Sequence, residues 1–218
     1  MKITGGFFIT LEGIEGCGKT TQSSMLVEYL EAEGYHVTKT REPGGTAVGG
    51  RIRAILLDPE SRGITGTTEL MLYSADRAQH MAEVIEPALA AGGIVVCDRF
   101  ADATLAYQGY GRGLDADVIA SLTDIATRGC KPDLTILFDL PVEQGLGRAI
   151  GRNDSTGAAH ESRFEQEALA FHEKVRQGYL AIAACEQARV KVLDASGSIE
   201  DVWAALREVA EEAVKGIG

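Results

Sequence analysis

The chain has 218 residues, 45% of them hydrophobic and 24% charged, which is the composition of a folded globular domain and excludes a disordered segment. Its 21 basic and 32 acidic side chains give a net charge of −11, which argues against a surface that binds a nucleic acid polymer. No apolar run approaches the roughly 20 residues of a membrane span, and four widely spaced cysteines form no metal-ligand pattern, so we expect a cytoplasmic protein with no membrane contact.

Apolar runs alternate along the chain with segments of helical periodicity, as in a parallel sheet whose strands are joined by crossover helices. In chain order, the predicted elements are strand 7–11, helix 20–33, strand 36–40, helix 47–57, helix 67–91, strand 94–97, helix 116–127, strand 134–140, helix 142–151, helix 164–187, strand 190–193 and helix 199–214. We therefore predict a single α/β domain over residues 1–218, with a central five-stranded parallel sheet and helices on both faces.

Two segments interrupt this alternation. Residues 151–161, GRNDSTGAAHE, are polar and aperiodic, so they predict a loop between two helices. The flanking arginines favour a lid over about 149–163 rather than a solvated connection without a role. The glycine-rich segment 109–113, GYGRG, predicts a flexible loop, and its Arg112 is a weaker candidate for binding phosphate.

A phosphate-binding loop follows the first predicted strand. Residues 13–20 read GIEGCGKT and fit the P-loop pattern GxxxxGK[ST], between a strand and a helix as that pattern requires. Glycines let backbone N–H groups surround a phosphate chain, while the lysine reaches the outer phosphates and the threonine hydroxyl holds Mg²⁺. The predicted ATP-binding residues are Gly13, Ile14, Glu15, Gly16, Cys17, Gly18, Lys19, Thr20 and Thr21.

Asp98 directly follows the buried strand 94–97, at the carboxyl edge of the predicted sheet and beside the P-loop. An aspartate there holds the metal together with Thr20 in such folds, although a helix cap is the alternative. Strand alternation turns Arg99 to the opposite side of the backbone, toward the contents of the cleft.

The arginines exceed what one nucleotide requires, so the sequence predicts two phosphorylated ligands. The arginines in question are Arg41, Arg53, Arg77, Arg99, Arg148, Arg152 and Arg163. An acceptor that is itself a phosphate needs no general base, because it is already ionised at neutral pH, and positioning with charge neutralisation then carries catalysis. The alternatives are a kinase for another nucleoside monophosphate or a deoxynucleoside, and an ATPase or switch without an acceptor.

Six segments that span nearly the whole chain resemble the thymidylate kinase family of P-loop nucleoside monophosphate kinases. They are FITLEGIEGCGKTTQ, TREPGGT, ELMLYSADRAQH, VVCDRFADATLAYQGYGRG, LFDLPVEQGLGRA and SRFEQE. The resemblance implies a P-loop NTPase fold and transfer of the γ-phosphoryl group of Mg-ATP to the 5′-phosphate of dTMP, giving dTDP and ADP. It also implies a homodimer.

The resemblance further implies roles for individual residues. Because Gly16 stands where some members place a catalytic arginine, the chain is similar to the members that supply this arginine from the lid. The resemblance leaves open whether Arg148, Arg152 or Arg163 contacts the transferring phosphoryl group. It makes Lys19 and Arg99 the other catalytic residues. It places the adenine near residues 194–196.

The implied dTMP-binding residues are Glu15, Glu42, Pro43, Arg53, Tyr73, Arg77, Arg99, Thr104, Tyr107 and Gln108. In the family, the arginines matching Arg53 and Arg99 hold the monophosphate, and the aromatic ring matching Tyr73 stacks on thymine. Arg77, Thr104 and Gln108 match residues at the base edge. Glu15 matches an acid near the 3′-hydroxyl, and Tyr107 a ring beside the 2′ position. Helical spacing alone would make Tyr73 a core residue.

Overall fold

The computed structural model describes residues 3–61, 63–156 and 163–215, and for residues 152–156 the backbone only. Its sheet has five parallel strands in the order β2-β3-β1-β4-β5. The strands are β1 (Phe7–Glu12), β2 (Val37–Arg41), β3 (Ile94–Asp98), β4 (Leu134–Asp139) and β5 (Val190–Asp194). The predicted five-stranded parallel sheet is confirmed.

The helices of the described residues follow the predicted order, apart from a short helix, Ala101–Thr104, that was not predicted. They are α1 (Lys19–Ala32), α2 (Ala47–Leu57), α3 (Gly66–His80), α4 (Glu86–Ala90), α5 (Ala101–Thr104), α6 (Ala116–Thr127), α7 (Val142–Thr156), α8 (Leu169–Cys185) and α9 (Ile199–Lys215). One turn of π-helix, Met81–Ile85, joins α3 to α4, so the predicted helix 67–91 is continuous. Local chemistry sets several ends: the Asp115 carboxylate, for example, accepts hydrogen bonds from two backbone N–H groups in the first turn of α6.

Two apolar clusters cover opposite faces of the sheet. Ile9 packs in one cluster with Leu26 of α1 and Leu206 of α9, and its strand neighbour Phe8 packs in the other with Met81 and residues of β3. Because successive strand residues point to opposite faces, the two clusters lie on the two sides of β1. This burial on both sides explains why β1 reads as a continuous apolar run.

Two loop predictions are corrected. Residues 109–111 belong to a π-helical segment, Leu105–Gly111, that continues α5. The glycine at 111 serves close packing there, because a Cβ atom would lie 2.6 Å from the ring of Phe171 on α8. The predicted loop 151–161 begins as helix, since α7 runs to Thr156; residues 157–161 lie outside the described part of the chain.

The parallel register brings the carboxyl ends of β1, β3 and β4 to one edge of the sheet. Leu11 pairs with Asp98, so the residues that follow β1 and β3 lie beside each other. All four cysteines are free thiols. Among the described helices, none is both long and apolar enough to cross a bilayer.

Candidate active site

The loop between β1 and α1 forms an anion site. Gly18, at the N-cap of α1, has φ 94° and provides no side-chain cap, so the first N–H groups of the helix remain available to a ligand. Lys19 is 7% exposed, and its Nζ donates to the carbonyl oxygens of Gly13 and Ile14, at 2.9 Å each. Its charge is therefore held at the loop where the outer phosphates of a nucleotide are expected.

The structure brings Thr20 and Asp98 together. The Thr20 hydroxyl donates to Oδ2 of Asp98 over 3.2 Å, across the edge between α1 and β3. Both are oxygen donors, the type that Mg²⁺ prefers, and Mg²⁺ commonly takes only one or two protein ligands beside water and phosphate. The described residues contain no group of three or more His, Cys, Asp or Glu side chains placed to hold a metal.

Beside the P-loop lies a cleft of about 210 Å³. It is lined by every residue that the sequence analysis assigned to the acceptor: Glu15, Glu42, Pro43, Arg53, Tyr73, Arg77, Arg99, Thr104, Tyr107 and Gln108. Lys19, Thr20 and Asp98 line the same cleft. Arg41, one of the arginines singled out for phosphate binding, lines it too. The sequence analysis did not identify five other lining residues: Leu57, Phe100, Ala103, Phe164 and Glu165.

Arg99 is held rigidly at the centre of this cleft. Its backbone has φ 70°, a strained value for a residue with a side chain. Its guanidinium donates to the Tyr179 hydroxyl at 3.0 Å and to Glu15 at 3.2 Å, and it lies 4.9 Å from the centre of the Tyr107 ring. These contacts fix the direction of the guanidinium before any ligand arrives.

Glu15 stays ionised in this environment. Burial by itself raises the pKa of its carboxyl, but His172 and the positive charge of Arg99 lower it below the ordinary range. The Tyr107 hydroxyl donates to Oε1 at 2.5 Å, and His172 Nδ1 lies 3.4 Å from Oε2. Glu15 therefore offers a charged acceptor at the cleft, as a sugar hydroxyl requires.

Arg77 lines the cleft and has one unpaired donor atom. It is 1% exposed, its Nε donates to Glu42 at 2.9 Å, and its Nη2 donates to Thr104 at 2.8 Å. Nη1 is buried and has no partner among the described residues. Because an unpaired buried donor is costly, this atom needs an acceptor from a ligand. Tyr73, one turn earlier on α3, is partly exposed and lines the same cleft, so it is not simply a core residue.

The three lid arginines are placed differently. Arg148, on α7, donates to the Ala195 carbonyl oxygen at 3.2 Å, beside the loop after β5. Arg163 is buried, donates to the Leu56 carbonyl and to Glu69, and is not among the residues that line the cleft. In this structure its charge is thus paired with that of Glu69. The side chain of Arg152 lies outside the described residues.

Arg112 is also directed away from the cleft. Its guanidinium pairs with Glu69 at 3.2 Å and with Glu167 at 2.6 Å. It therefore takes part in an ion-pair cluster rather than in the phosphate site.

Close packing explains the glycine at position 16. Gly16 has φ 71°, and a Cβ atom there would collide with the backbone of Gly145 on α7. An arginine at this position has no room while α7 lies against the P-loop.

Glu12 is a site residue that the sequence analysis missed, although an acid at the end of an apolar strand was a visible signal. It is fully buried and accepts hydrogen bonds from the Phe100 N–H at 2.7 Å and the Tyr179 hydroxyl at 2.8 Å. Burial, helped by the charge of Asp102, raises the pKa of Glu12 from its ordinary 4.5 to about 8. Through Tyr179, Glu12 also supports Arg99.

This raised pKa predicts a pH dependence of stability. Burial in the folded protein disfavours the ionised form of Glu12. The protonated side chain therefore contributes fully to the stability of the fold below pH 4.5, and this contribution is lost as the pH rises toward about 8. In Glu12→Gln the side chain is neutral at every pH, like the protonated acid. Over this pH range the free energy of unfolding should therefore fall less in the variant than in the wild type, with a difference of up to about 4 kcal/mol. Urea unfolding at several pH values measures this, and parallel curves for the two proteins would refute it.

The fold and the cleft together define the class of the protein. A central parallel sheet leads into a P-loop, and an arginine-lined cleft opens beside it, as in P-loop NTPases that bind a second ligand. Comparison with known proteins identifies the family within this class. The family model described as Thymidylate kinase matches residues 11–206, and the chain belongs to the thymidylate kinase family.

Similar proteins agree with this assignment. A thymidylate kinase of Geotalea uraniireducens (strain Rf4) is 54% identical over 201 residues, which cover 92% of this chain and 94% of the relative. One from Syntrophotalea carbinolica is 55% identical over 196 residues, covering 90% and 91%. The crystal structure of thymidylate kinase from Ehrlichia chaffeensis superposes with a TM-score of 0.77 at 33% identity and covers 94% of this chain and 98% of that one.

Proposed function

We propose that this chain transfers the γ-phosphoryl group of Mg-ATP to the 5′-phosphate of dTMP in the cleft beside the P-loop. ATP-dependent phosphorylation of dTMP to dTDP is the activity of the thymidylate kinase family, so the reaction follows from membership. The residue roles are our proposal. The observation that supports them best is the single cleft that joins Lys19 and Asp98 to Arg53 and Arg77.

The donor nucleotide binds at the P-loop. Backbone N–H groups of the loop and of the first turn of α1 surround its phosphates, and Lys19 neutralises the charge that develops on the outer ones. Thr21 is exposed in that first turn, and its backbone N–H belongs to the group that we assign to the phosphates. The adenine lies toward Ala195, where Arg148 contacts the loop after β5.

The acceptor lies in the arginine-lined part of the cleft. Arg53 and Arg99 bind the 5′-phosphate, and Tyr73 stacks on the base. The unpaired Nη1 of Arg77 donates to a base carbonyl. Glu15 accepts from the 3′-hydroxyl of the sugar, whose 2′ side is closed by Tyr107.

The transfer step needs positioning rather than a base. An oxygen of the dTMP phosphate attacks the γ-phosphorus, while the bond from that phosphorus to the bridging oxygen breaks and ADP leaves. Arg99 orients the attacking oxygen, and its position is already set by Glu15 and Tyr179. Such preorganisation lowers the barrier because the protein does not have to rearrange during the step.

A lid over about 149–163 supplies the remaining positive charge. Arg148 is engaged at the adenine side and Arg163 by Glu69. The backbone of Arg152 belongs to α7, four residues after Arg148. These placements make Arg152 the candidate for the transferring phosphoryl group.

Thr20 and Asp98 fit a magnesium ion. The hydroxyl and the carboxylate lie 3.2 Å apart at the mouth of the phosphate site, and both are hard oxygen donors. When bound with ATP, the ion neutralises charge on the β- and γ-phosphates. Asp98 orients the Thr20 hydroxyl, so the two side chains act as one unit.

An acceptor panel tests the proposal. A coupled assay measures ADP release from ATP with dTMP, dUMP, dCMP, thymidine or no acceptor, with and without Mg²⁺. We expect fast release only with dTMP or its close analogue dUMP and only with the metal. Release without an acceptor would indicate an ATPase, and release with thymidine a deoxynucleoside kinase.

We also propose that the enzyme acts in the cytoplasm as a homodimer. The packed helices α3 and α6 expose Met71 at 57%, Val118 at 50% and Ile125 at 73%, and exposed apolar groups of this kind mark contact surfaces. Sedimentation equilibrium tests the dimer; a monomer at micromolar concentration would contradict it.

A further inference from the structure

A buried carboxylate lies behind the base end of the cleft. Glu69, in the first turn of α3, is 1% exposed. Its Oε1 accepts from Nε2 of Gln108 at 2.8 Å, and its Oε2 accepts from Nη2 of Arg163 at 2.6 Å. Arg112 donates to both oxygens at 3.2 Å. Glu69 is not a wall of the cleft, and the proposed transfer step gives it no part.

This carboxylate decides the orientation of the Gln108 side chain. A carboxamide has a donor nitrogen and an acceptor oxygen that can exchange places by a flip, whereas an ionised carboxylate only accepts. With Glu69 at 2.8 Å, the nitrogen of Gln108 must face Glu69. Because Gln108 lines the cleft, its oxygen is the polar atom left for a ligand.

The surroundings keep Glu69 ionised. Burial raises the pKa of its carboxyl, but hydrogen bonds from Arg112, Gln108 and Arg163 more than offset this and lower the pKa below its ordinary value. Two guanidinium groups thus stabilise the charge that holds the amide. Arg163 is one of these two groups, through its contact with Oε2 of Glu69.

The fixed amide gives the cleft a pattern of polar atoms. Arg77, which lines the cleft, has the unpaired donor Nη1. Gln108, whose nitrogen is taken by Glu69, is left with its acceptor oxygen. Thymine and uracil present the complement, a carbonyl at C4 and an N–H at N3, whereas cytosine has a donor at C4 and an acceptor at N3. A flipped Gln108 amide would suit the N3 of cytosine instead.

We propose that Glu69 is a positioning residue for base selectivity, which locks the Gln108 amide so that the cleft accepts a base with an N–H at N3. This inference rests on the proposed acceptor site. Glu69 acts through Gln108 and touches no substrate. Arg112 and Arg163 serve it by balancing its charge.

A double-mutant cycle tests this. The measured quantity is the ratio of kcat/KM for dTMP to that for dCMP, at saturating ATP, in the wild type, Glu69→Gln, Gln108→Ala and the double variant. Since a neutral amide at position 69 pairs with either orientation of Gln108, Glu69→Gln should lower the ratio about tenfold or more, with kcat for dTMP within about threefold. In the Gln108→Ala background, the same change should leave the ratio unaltered.

Glu167→Gln is the matched control. Glu167 pairs with Arg112 at 2.6 Å, so the change perturbs the same ion-pair cluster without removing the acceptor of Gln108, and it should keep the wild-type ratio. An equal fall in the control, or an equal effect of Glu69→Gln with and without Gln108, would overturn the inference. A wild type that does not prefer dTMP would instead refute the proposed acceptor site.

A second measurement on the wild type does not depend on the folding of a variant. The Gln108 side-chain N–H signals in NMR spectra, assigned by their loss in Gln108→Ala, should exchange with water much more slowly than those of exposed Gln187. Equal exchange rates would show that Glu69 does not hold the amide.

Discussion

Replacing Lys19 by alanine is expected to lower kcat for dTMP about a thousandfold, while the protein remains folded. The side chain is buried at the P-loop, where two carbonyl oxygens hold its Nζ 2.9 Å away. Its charge is thus preorganised for the phosphates, and removal of one such group commonly costs about 10²- to 10³-fold in rate. The coupled assay of ADP release measures kcat, and circular dichroism checks the fold.

Lys39→Ala is the matched control for this change. Lys39 lies on β2, is exposed, and donates to the Ser24 hydroxyl at 2.7 Å, outside the cleft. Its loss should leave kcat unchanged. If the Lys19 variant kept a rate within threefold of the wild type, Lys19 would not be the residue that stabilises the transferring group.

Replacing Arg99 by alanine should raise the KM for dTMP about a hundredfold and leave the KM for ATP nearly unchanged. Charge-assisted contacts of a guanidinium with a phosphate are strong, and the structure fixes this guanidinium through Glu15 and Tyr179. Because Arg99 faces the acceptor side while Lys19 faces the donor side, the two variants should affect different substrates. Initial rates over a grid of both nucleotide concentrations separate the effects.

Two further variants make this prediction specific. Arg51→Ala removes an exposed arginine of α2 that does not line the cleft, so both KM values should stay at the wild-type level. Arg99→Lys keeps the charge but loses the planar fork, and it should recover only part of the affinity. A normal KM for dTMP in Arg99→Ala would remove Arg99 from the phosphate site.

Local patterns in the sequence predicted the architecture and much of the cleft. Strands buried on both faces read as apolar runs, and the P-loop needs glycines, a lysine and a threonine at fixed spacing, so both are visible without coordinates. The family resemblance supplied the acceptor residues, all of which line one cleft. The roles of these residues remain predictions.

Other features depend on contacts between distant parts of the chain. The segment 109–111 looked like a loop because its glycines allow many backbone conformations, yet Gly111 permits close packing on α8. The ion pair of Arg163 could not be predicted from its neighbours in the chain, because its partner Glu69 lies 94 positions away.

The sequence by itself determined the order of strands and helices, the phosphate loop and the kinds of side chain available for two nucleotides, because these follow from periodicity and spacing along the chain. Only the tertiary structure decided which arginines face the cleft, that Glu12 and Tyr179 support Arg99, and that Glu69 orients Gln108. The physical reason is that a side chain turns toward the charge or hydrogen-bond partner that folding brings beside it, and such partners leave no local pattern in the sequence.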